Sequence, residues 1–322
     1  MLRVKERCGR GPVQATGKWT ERILMLPAVY AKAYAKLSSW LWFNEDWNWT
    51  GTPIVMYLQN SGKQATKAAV AEGAFWEALA RANKGKSLRY VKTFNFDDYD
   101  YIPTSIHRTF IGKACPWEIQ EAIQLASSIG LIDKTNVEKY CRDNIGVDCG
   151  GFVAAYWGEE VPHMVEPNPK FATGISPRSF WADSGTWPDV IRRRRTDFTA
   201  IKPGDAAIFF SGVKDNNPDI QAKKGADGEW IAGSGSKAFH IGLVNAIGAS
   251  SNSITSLEIA ESSGAPSIYG GNGVNVRAAQ VNGSGTSGSY VYAQVGNDER
   301  IYFLAPIPGA GPELPYGFGD ES

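Results

Sequence analysis

The 322-residue chain has little of what the commonest functional classes require. Its four cysteines, Cys8, Cys115, Cys141 and Cys149, stand at no spacing that fits a zinc site or a dense disulfide framework. Reduced thiols are expected, and the chemistry below calls for no metal and no organic cofactor. Charge of one sign is not in excess: 33 basic residues balance 33 acidic ones. No global field therefore favours nucleic acid or an acidic membrane surface. No apolar run approaches the length of a membrane span. The best segment, Ile23 to Val29, contains Pro27 and is followed by Lys32 and Lys36, and the basic, polar stretch before it is too long for an ordinary signal peptide. The protein is expected to be cytoplasmic as synthesised. The acidic-aromatic stretch Tyr90 to Tyr101 reads as β-like and lacks the central glycine and closing glutamate of a calcium loop. The single dense charge run, Arg192-Arg193-Arg194-Arg195, is expected to be a solvated face rather than a site for an anionic polymer or lipid. There is no internal repeat.

What remains, 43% hydrophobic and 20% charged, suits a globular protein of two domains or one large elaborated one. Residues 20 to 43 fit an amphipathic helix ending in Trp40-Leu41-Trp42-Phe43, followed by a tryptophan-rich turn from Asn44 to Thr52. These tryptophans read as large core residues before they read as a sugar-stacking surface. Further helices are predicted over residues 62 to 83, Pro116 to Ile129 and Asn136 to Asn144. Buried strands are predicted over Ala206 to Phe210, His240 to Val244, Ile254 to Glu261 and Arg300 to Ala305. The proline-bearing stretch from Pro162 to Pro188 reads as an irregular connection lining the cleft, residues 270 to 290 as a Gly/Ser/Asn-rich hairpin loop, and the tail from Pro306 as loose.

The chemistry starts at Gly146-Val147-Asp148-Cys149-Gly150-Gly151-Phe152-Val153. Counting from Cys149, Phe152, Val153, Tyr156 and Trp157 fall three, four, seven and eight positions on, which is one face of a helix. Cys149 then lies in the first turn, where free backbone N–H groups and the helix dipole stabilise a thiolate and a developing oxyanion. A lone cysteine is more often a small buried hydrophobe. Gly150 and Gly151, poor helix formers, argue against packing alone, and a substrate backbone crossing the helix end would account for both.

A thiol nucleophile needs a base, and the choice is among His107, His163 and His240. His240 sits in the strand-like run Phe239-His240-Ile241-Gly242-Leu243-Val244, with Gly242 on its face leaving room beside the imidazole. In the next predicted strand, Glu261 shares the Leu257/Ile259 face and Glu258 the other; either carboxylate is a candidate to orient the imidazole.

The order of motifs resembles the NlpC-type cell-wall cysteine peptidases and the related CHAP amidases, both papain-like. The resemblance covers roughly residues 117 to 305. It rests on Asp148-Cys149-Gly150-Gly151-Phe152-Val153, Lys202-Pro203-Gly204-Asp205 with Ala206 to Phe210, His240-Ile241-Gly242-Leu243-Val244 and Ala260-Glu261-Ser262-Ser263-Gly264. It implies Cys149 as nucleophile, His240 as base and Glu261 as the orienting third residue, with Glu258 the fallback. Glutamate at the third position leans toward the CHAP group. It also implies Asp148 and the position of Gly150 as substrate-binding, although Gly150 lacks the hydroxyl usual there. A polar insert, Ser211 to Ala238, separates the second motif from the third.

The implied architecture is α+β: a helical, Trp-rich region over 1–115, a papain-like hydrolase domain over 116–308 with its nucleophile helix on an antiparallel sheet, and a tail over 309–322. The implied activity is amide hydrolysis in peptidoglycan peptides by an endopeptidase or amidase, reaching the wall by a non-classical route as a delivered effector or phage lysin. An immunity or delivery protein is the partner such a route calls for. A papain-fold deamidase or transferase, and a non-catalytic structural protein, are the competing classes.

Overall fold

The computed structural model describes residues 26–35, 37–43, 46–52, 54, 56–58, 62–83, 101–157, 176–181, 189–211, 223–224, 230–231, 237–266, 272–297 and 299–307. Helix α1 (Pro27–Ala35) opens the described chain, with proline at its first position, where a missing N–H costs no hydrogen bond. Strands β1 (Leu37–Phe43) and β2 (Asp46–Thr52) follow as an antiparallel pair. Then come α2 (Gly62–Asn83), α3 (Tyr101–Phe110), α4 (Pro116–Ser128), α5 (Val137–Asn144) and α6 (Cys149–Tyr156), and after them the short α7 (Pro177–Trp181) and α8 (Val190–Arg193).

The second half is dominated by strands. These are β3 (Ala206–Ser211), the two-residue pair β4 (Lys223–Lys224) and β5 (Trp230–Ile231), then β6 (Lys237–Ala249), β7 (Ile254–Pro266), β8 (Asn272–Ala279), β9 (Gly283–Ser287), β10 (Tyr290–Gln294) and β11 (Glu299–Leu304). Seven of them form one antiparallel sheet in the order β8-β7-β6-β3-β11-β10-β9. The protein is thus α+β. The Ile254 N–H donates to Ser284 Oγ at 3.0 Å, tying β7, second in the order, to β9, the last, so the sheet curls.

Both faces of the sheet are buried, which is why β3 reads as an unbroken apolar run. Ala206, Ile208 and Phe210 enter one apolar cluster together with α6, while Ala207 and Phe209 enter a second one with Val244, Ile259 and Ile301. The helix-side cluster contains Tyr30, Phe75 and Phe110 as well as Phe152, Ile208 and Leu304. Residues on both sides of position 115 therefore share one core. Tyr30 and Tyr34 of α1 pack edge-on or tilted against Phe152 and Tyr156 of α6, at centroid distances of 5.4 to 5.9 Å.

Several expectations are corrected. The predicted helix over 20–43 is helical only from Pro27 to Ala35; Trp40-Leu41-Trp42-Phe43 and most of the expected tryptophan-rich turn form the β1–β2 pair. Aromatic residues favour strands, and a run of four apolar residues has no helical period to oppose that preference. The expected loop over 270–290 is largely β8 and β9, the two edges of the sheet, where one unpaired side makes polar composition acceptable. The arginine run is not a solvated face. Arg194 stacks over Trp181 and Tyr290 and donates to the Trp181 carbonyl at 2.7 Å, Arg193 lies over Trp157 and donates to the Ala305 carbonyl, and Arg195 grips Asp205 through two bonds of 2.7 and 2.8 Å. Arg192 alone of the four is exposed. The stretch before Tyr101, the connection over 158–175 and 182–188, most of the polar insert, and the tail beyond 307 lie outside the described residues. Among the described residues no helix is long and apolar enough to cross a membrane.

Candidate active site

The start of α6 is built by three backbone segments that interlock. The Val147 N–H donates to the Met56 carbonyl at 3.1 Å, the Leu58 N–H to the Val147 carbonyl at 3.3 Å, and the Asp148 N–H to the Gly112 carbonyl at 2.9 Å. Gly112 has φ +76°, and a Cβ there would overlap the Leu58 carbonyl oxygen, so glycine is required on both counts. Asp148 caps the helix: its Oδ1 accepts the Gly151 N–H at 2.6 Å, and its other oxygen pairs with the buried Lys113 ammonium. Burial pushes the Asp148 carboxyl above the usual carboxylate range, against the pull of Lys113 and of the Gly151 and Gly150 N–H groups. Of the two expected substrate contacts, Asp148 thus has internal partners on both oxygens, and Gly150 is buried in the first turn.

Gly151 has a different cause from the one expected. A Cβ on Gly151 would overlap the Gly112 carbonyl oxygen and stand 2.8 Å from Lys113 Cα. The chain's own backbone, not a substrate's, occupies that space. Gly242 likewise leaves no room beside the imidazole, because a Cβ there would meet Ile259 Cγ2 at 2.6 Å and Glu261 Cβ at 3.1 Å. Its effect is to let β7 approach closely enough to bring Glu261 to His240.

The site lies where two strands part company. The β6–β7 ladder ends at Gly242 opposite Glu261. Beyond that pair β6 continues along β3 as far as Lys237, and β7 continues along β8 as far as Pro266. The Ser262 hydroxyl, just past the parting, donates to the Val147 carbonyl at 2.6 Å and fixes the start of α6 against β7. Cys149 and His240 are both almost wholly buried, and the thiol group lies near enough to the imidazole to favour its charged form. His240 Nε2 meets Glu261 Oε2 at 2.9 Å, which leaves Nδ1 as the nitrogen for the thiol. The Phe209 ring, directly opposite His240 on β3, lies 5.1 Å from the imidazole centroid and supports it from one side.

The electrostatics favour charge on both partners. Burial lowers the His240 pKa, but the influence of Cys149 and the bond that His240 donates to the Glu261 carboxylate outweigh it and bring the imidazole up to about 9. Burial raises Glu261, but His240 and Arg277 outweigh it and hold the carboxyl at about 2. Of the two candidate carboxylates, Glu261 is therefore the partner of His240. Glu258 is taken by the Asn245 amide at 2.6 Å.

Three further residues belong to this constellation and were not legible beforehand. The Tyr57 hydroxyl donates to Cys149 Sγ at 3.9 Å, and burial together with the Cys149 and Asp148 charges pushes its own ionisation upward. Its placement follows from the isolated bridge between Tyr57 and Val147, a pairing with no local sequence signal. Lys113 closes the Asp148 carboxylate, and Arg277 bonds Glu261 through Nε at 2.7 Å. The alternation of Val274 and Val276 along β8 was the available clue for Arg277. The other candidate base, His107, pairs with Glu72 between α3 and α2 at 3.0 Å, and His163 lies outside the described residues. Cys141 is fully buried with its thiol pushed up to about 12 by burial, and Cys115 is a buried N-cap of α4. Among the described residues no group of three or more His, Cys, Asp or Glu side chains is placed to hold a metal ion. Comparison with known protein families, with curated proteins and with solved structures returns no match, so the reading of this site rests on its own residues and geometry.

Proposed function

We propose that the protein is a cysteine hydrolase of papain-like architecture that cleaves amide bonds in bacterial cell-wall peptides, as an endopeptidase or amidase. The observation that carries this reading is the meeting of Cys149, at a helix start, with an imidazole whose other nitrogen is held by a buried carboxylate. The motif resemblance to NlpC-type and CHAP enzymes supplies the substrate class. In this reading the Cys149 thiolate attacks the amide carbonyl carbon, and the carbonyl π pair moves onto oxygen. The first-turn N–H groups of α6 and the Tyr57 hydroxyl stabilise that oxyanion. Collapse breaks the C–N bond, and the His240 imidazolium gives its proton to the departing amine. Water, deprotonated by neutral His240, then attacks the thioester and releases the acid and the thiolate. Glu261 remains anionic throughout and fixes the imidazole tautomer.

Mass spectrometry of products released from purified peptidoglycan tests this directly. The wild-type protein is expected to add one water per bond cut and to leave a new amine and a new carboxyl end. Cys149→Ala and His240→Ala are each expected to lower turnover by about 10³-fold or more. Peptidoglycan left intact by wild type, with a protein side-chain amide converted to acid instead, would overturn the wall assignment in favour of a deamidase.

A further inference from the structure

Glu261 carries more hydrogen-bonding than a carboxylate needs to orient one imidazole. It is fully buried, and its two oxygens are divided between two cations. Oε2 meets His240 Nε2 at 2.9 Å, Oε1 accepts from Arg277 Nε at 2.7 Å, and Arg277 Nη2 stands 3.3 Å from Oε2. Rotation of the carboxylate would break at least one of these bonds, so the guanidinium fork fixes the plane from which the imidazole is held. Arg277 lies on β8 opposite Ile259, one diagonal step from Glu261, and its side chain is 42% exposed. It links the buried pair to the surface of an edge strand.

The structure assigns Arg277, we infer, as a positioning residue that acts through Glu261 on His240, both by fixing the carboxylate plane and by sharing its charge. The inference rests on reading Cys149, His240 and Glu261 as the catalytic triad. The other charged or titratable groups facing this cluster are Cys149 and Asp148 at the start of α6, Lys113 after α3, and Tyr57 ahead of α2. Lys113 is paired to Asp148, so among the described residues Arg277 is the cation that meets Glu261 besides His240. Without the guanidinium, Glu261 faces His240 alone, and the imidazolium then holds its proton to higher pH. Lysine supplies the charge without the fork.

With only three histidines in the chain, an NMR titration of the imidazoles in the full-length protein can be assigned by comparison with His240→Asn. The His240 midpoint is expected to move upward in Arg277→Gln and to stay near the wild-type value in Arg277→Lys. The His240 Nε2 proton is expected to exchange faster with water in both, and kcat to fall roughly tenfold with KM little changed. An unmoved midpoint in folded Arg277→Gln overturns the inference and leaves hydrolysis standing. Should Arg277→Gln not fold, wild-type proton exchange and kcat in Arg277→Lys would overturn it instead. Failure of wild type to cut peptidoglycan overturns the proposed substrate and leaves the titration readable.

Discussion

Burial alone would strip the charge from His240, because an imidazolium loses its hydration there. That the imidazole nonetheless rises to about 9, and Glu261 falls to about 2, reflects three charges held in contact. His240, raised from 6.5, contributes stability that is complete below 6.5 and is lost as pH rises through about 9. Glu261, lowered from 4.5, contributes stability that is complete above 4.5 and is lost as pH falls through about 2. Stability from this pair is therefore fullest between 4.5 and 6.5. In the proposed chemistry, the alkaline limb of kcat/KM should lie near 9, where the imidazolium is lost. In Glu261→Gln that limb should move to lower pH, because the charge that offset burial is gone, and some turnover should remain. A pH–rate profile of both proteins checks this; an unmoved limb would mean that another group sets it. Cys149 and His240 were legible because each sits in a local pattern, a helix start or an alternating strand, whereas the strand pattern left Glu261 and Glu258 open and only the motif resemblance favoured Glu261. Tyr57, Lys113 and Arg277 were not legible, because what places them is backbone pairing between distant segments and strand register.

Whole elements show the same division between local and non-local causes. The helices α2, α4 and α6 follow their apolar spacing, and β3 follows its apolar run. The N-terminal helix and the Gly/Ser/Asn strands depart from their sequence expectation because composition there gives no period. In β9, Gly285 faces Tyr292, and a Cβ would meet the tyrosine hydroxyl at 2.8 Å, so a residue typical of loops makes room for an aromatic ring inside a strand. The arginine run departs from the solvated face its charge predicts for a related reason: the aromatic rings that receive Arg193 and Arg194 come from elements distant in sequence, apart from Trp181. Glycine substitutions separate close approach from mere flexibility. Gly151→Ala should destabilise the protein by ~1–3 kcal/mol or more, since the new methyl meets backbone that cannot move aside. Gly73→Ala, in an exposed position of α2 with nothing within 4 Å of the added carbon, should stabilise by ~1 kcal/mol. Urea denaturation of the two variants checks the contrast; equal effects would contradict the interlock at the start of α6.

For the whole molecule, the shared core makes the N-terminal region part of the same folded unit as the candidate site. Residues 1–115 supply Tyr57 beside the thiol, the Met56 to Leu58 backbone that pairs with Val147, and the tyrosines that cover Phe152. A fragment beginning at residue 116 should therefore fail to give a cooperative thermal transition; a native-like melt would show that the core divides there. The proposed substrate also sets where the protein does harm. Directed to the periplasm, it should lyse a bacterial host, and at equal abundance in the cytoplasm it should not. Equal toxicity in both compartments, abolished by Cys149→Ala, would point to a cytoplasmic protein substrate. Each role in the proposed chemistry requires Cys149 to be an activated nucleophile paired with His240. Limiting iodoacetamide near neutral pH, followed by peptide mapping, tests that requirement without assuming any substrate. The adduct is expected on Cys149 first, and more slowly in His240→Ala. Preferential labelling of Cys8, Cys115 or Cys141, or a Cys149 rate that does not depend on His240, would contradict it.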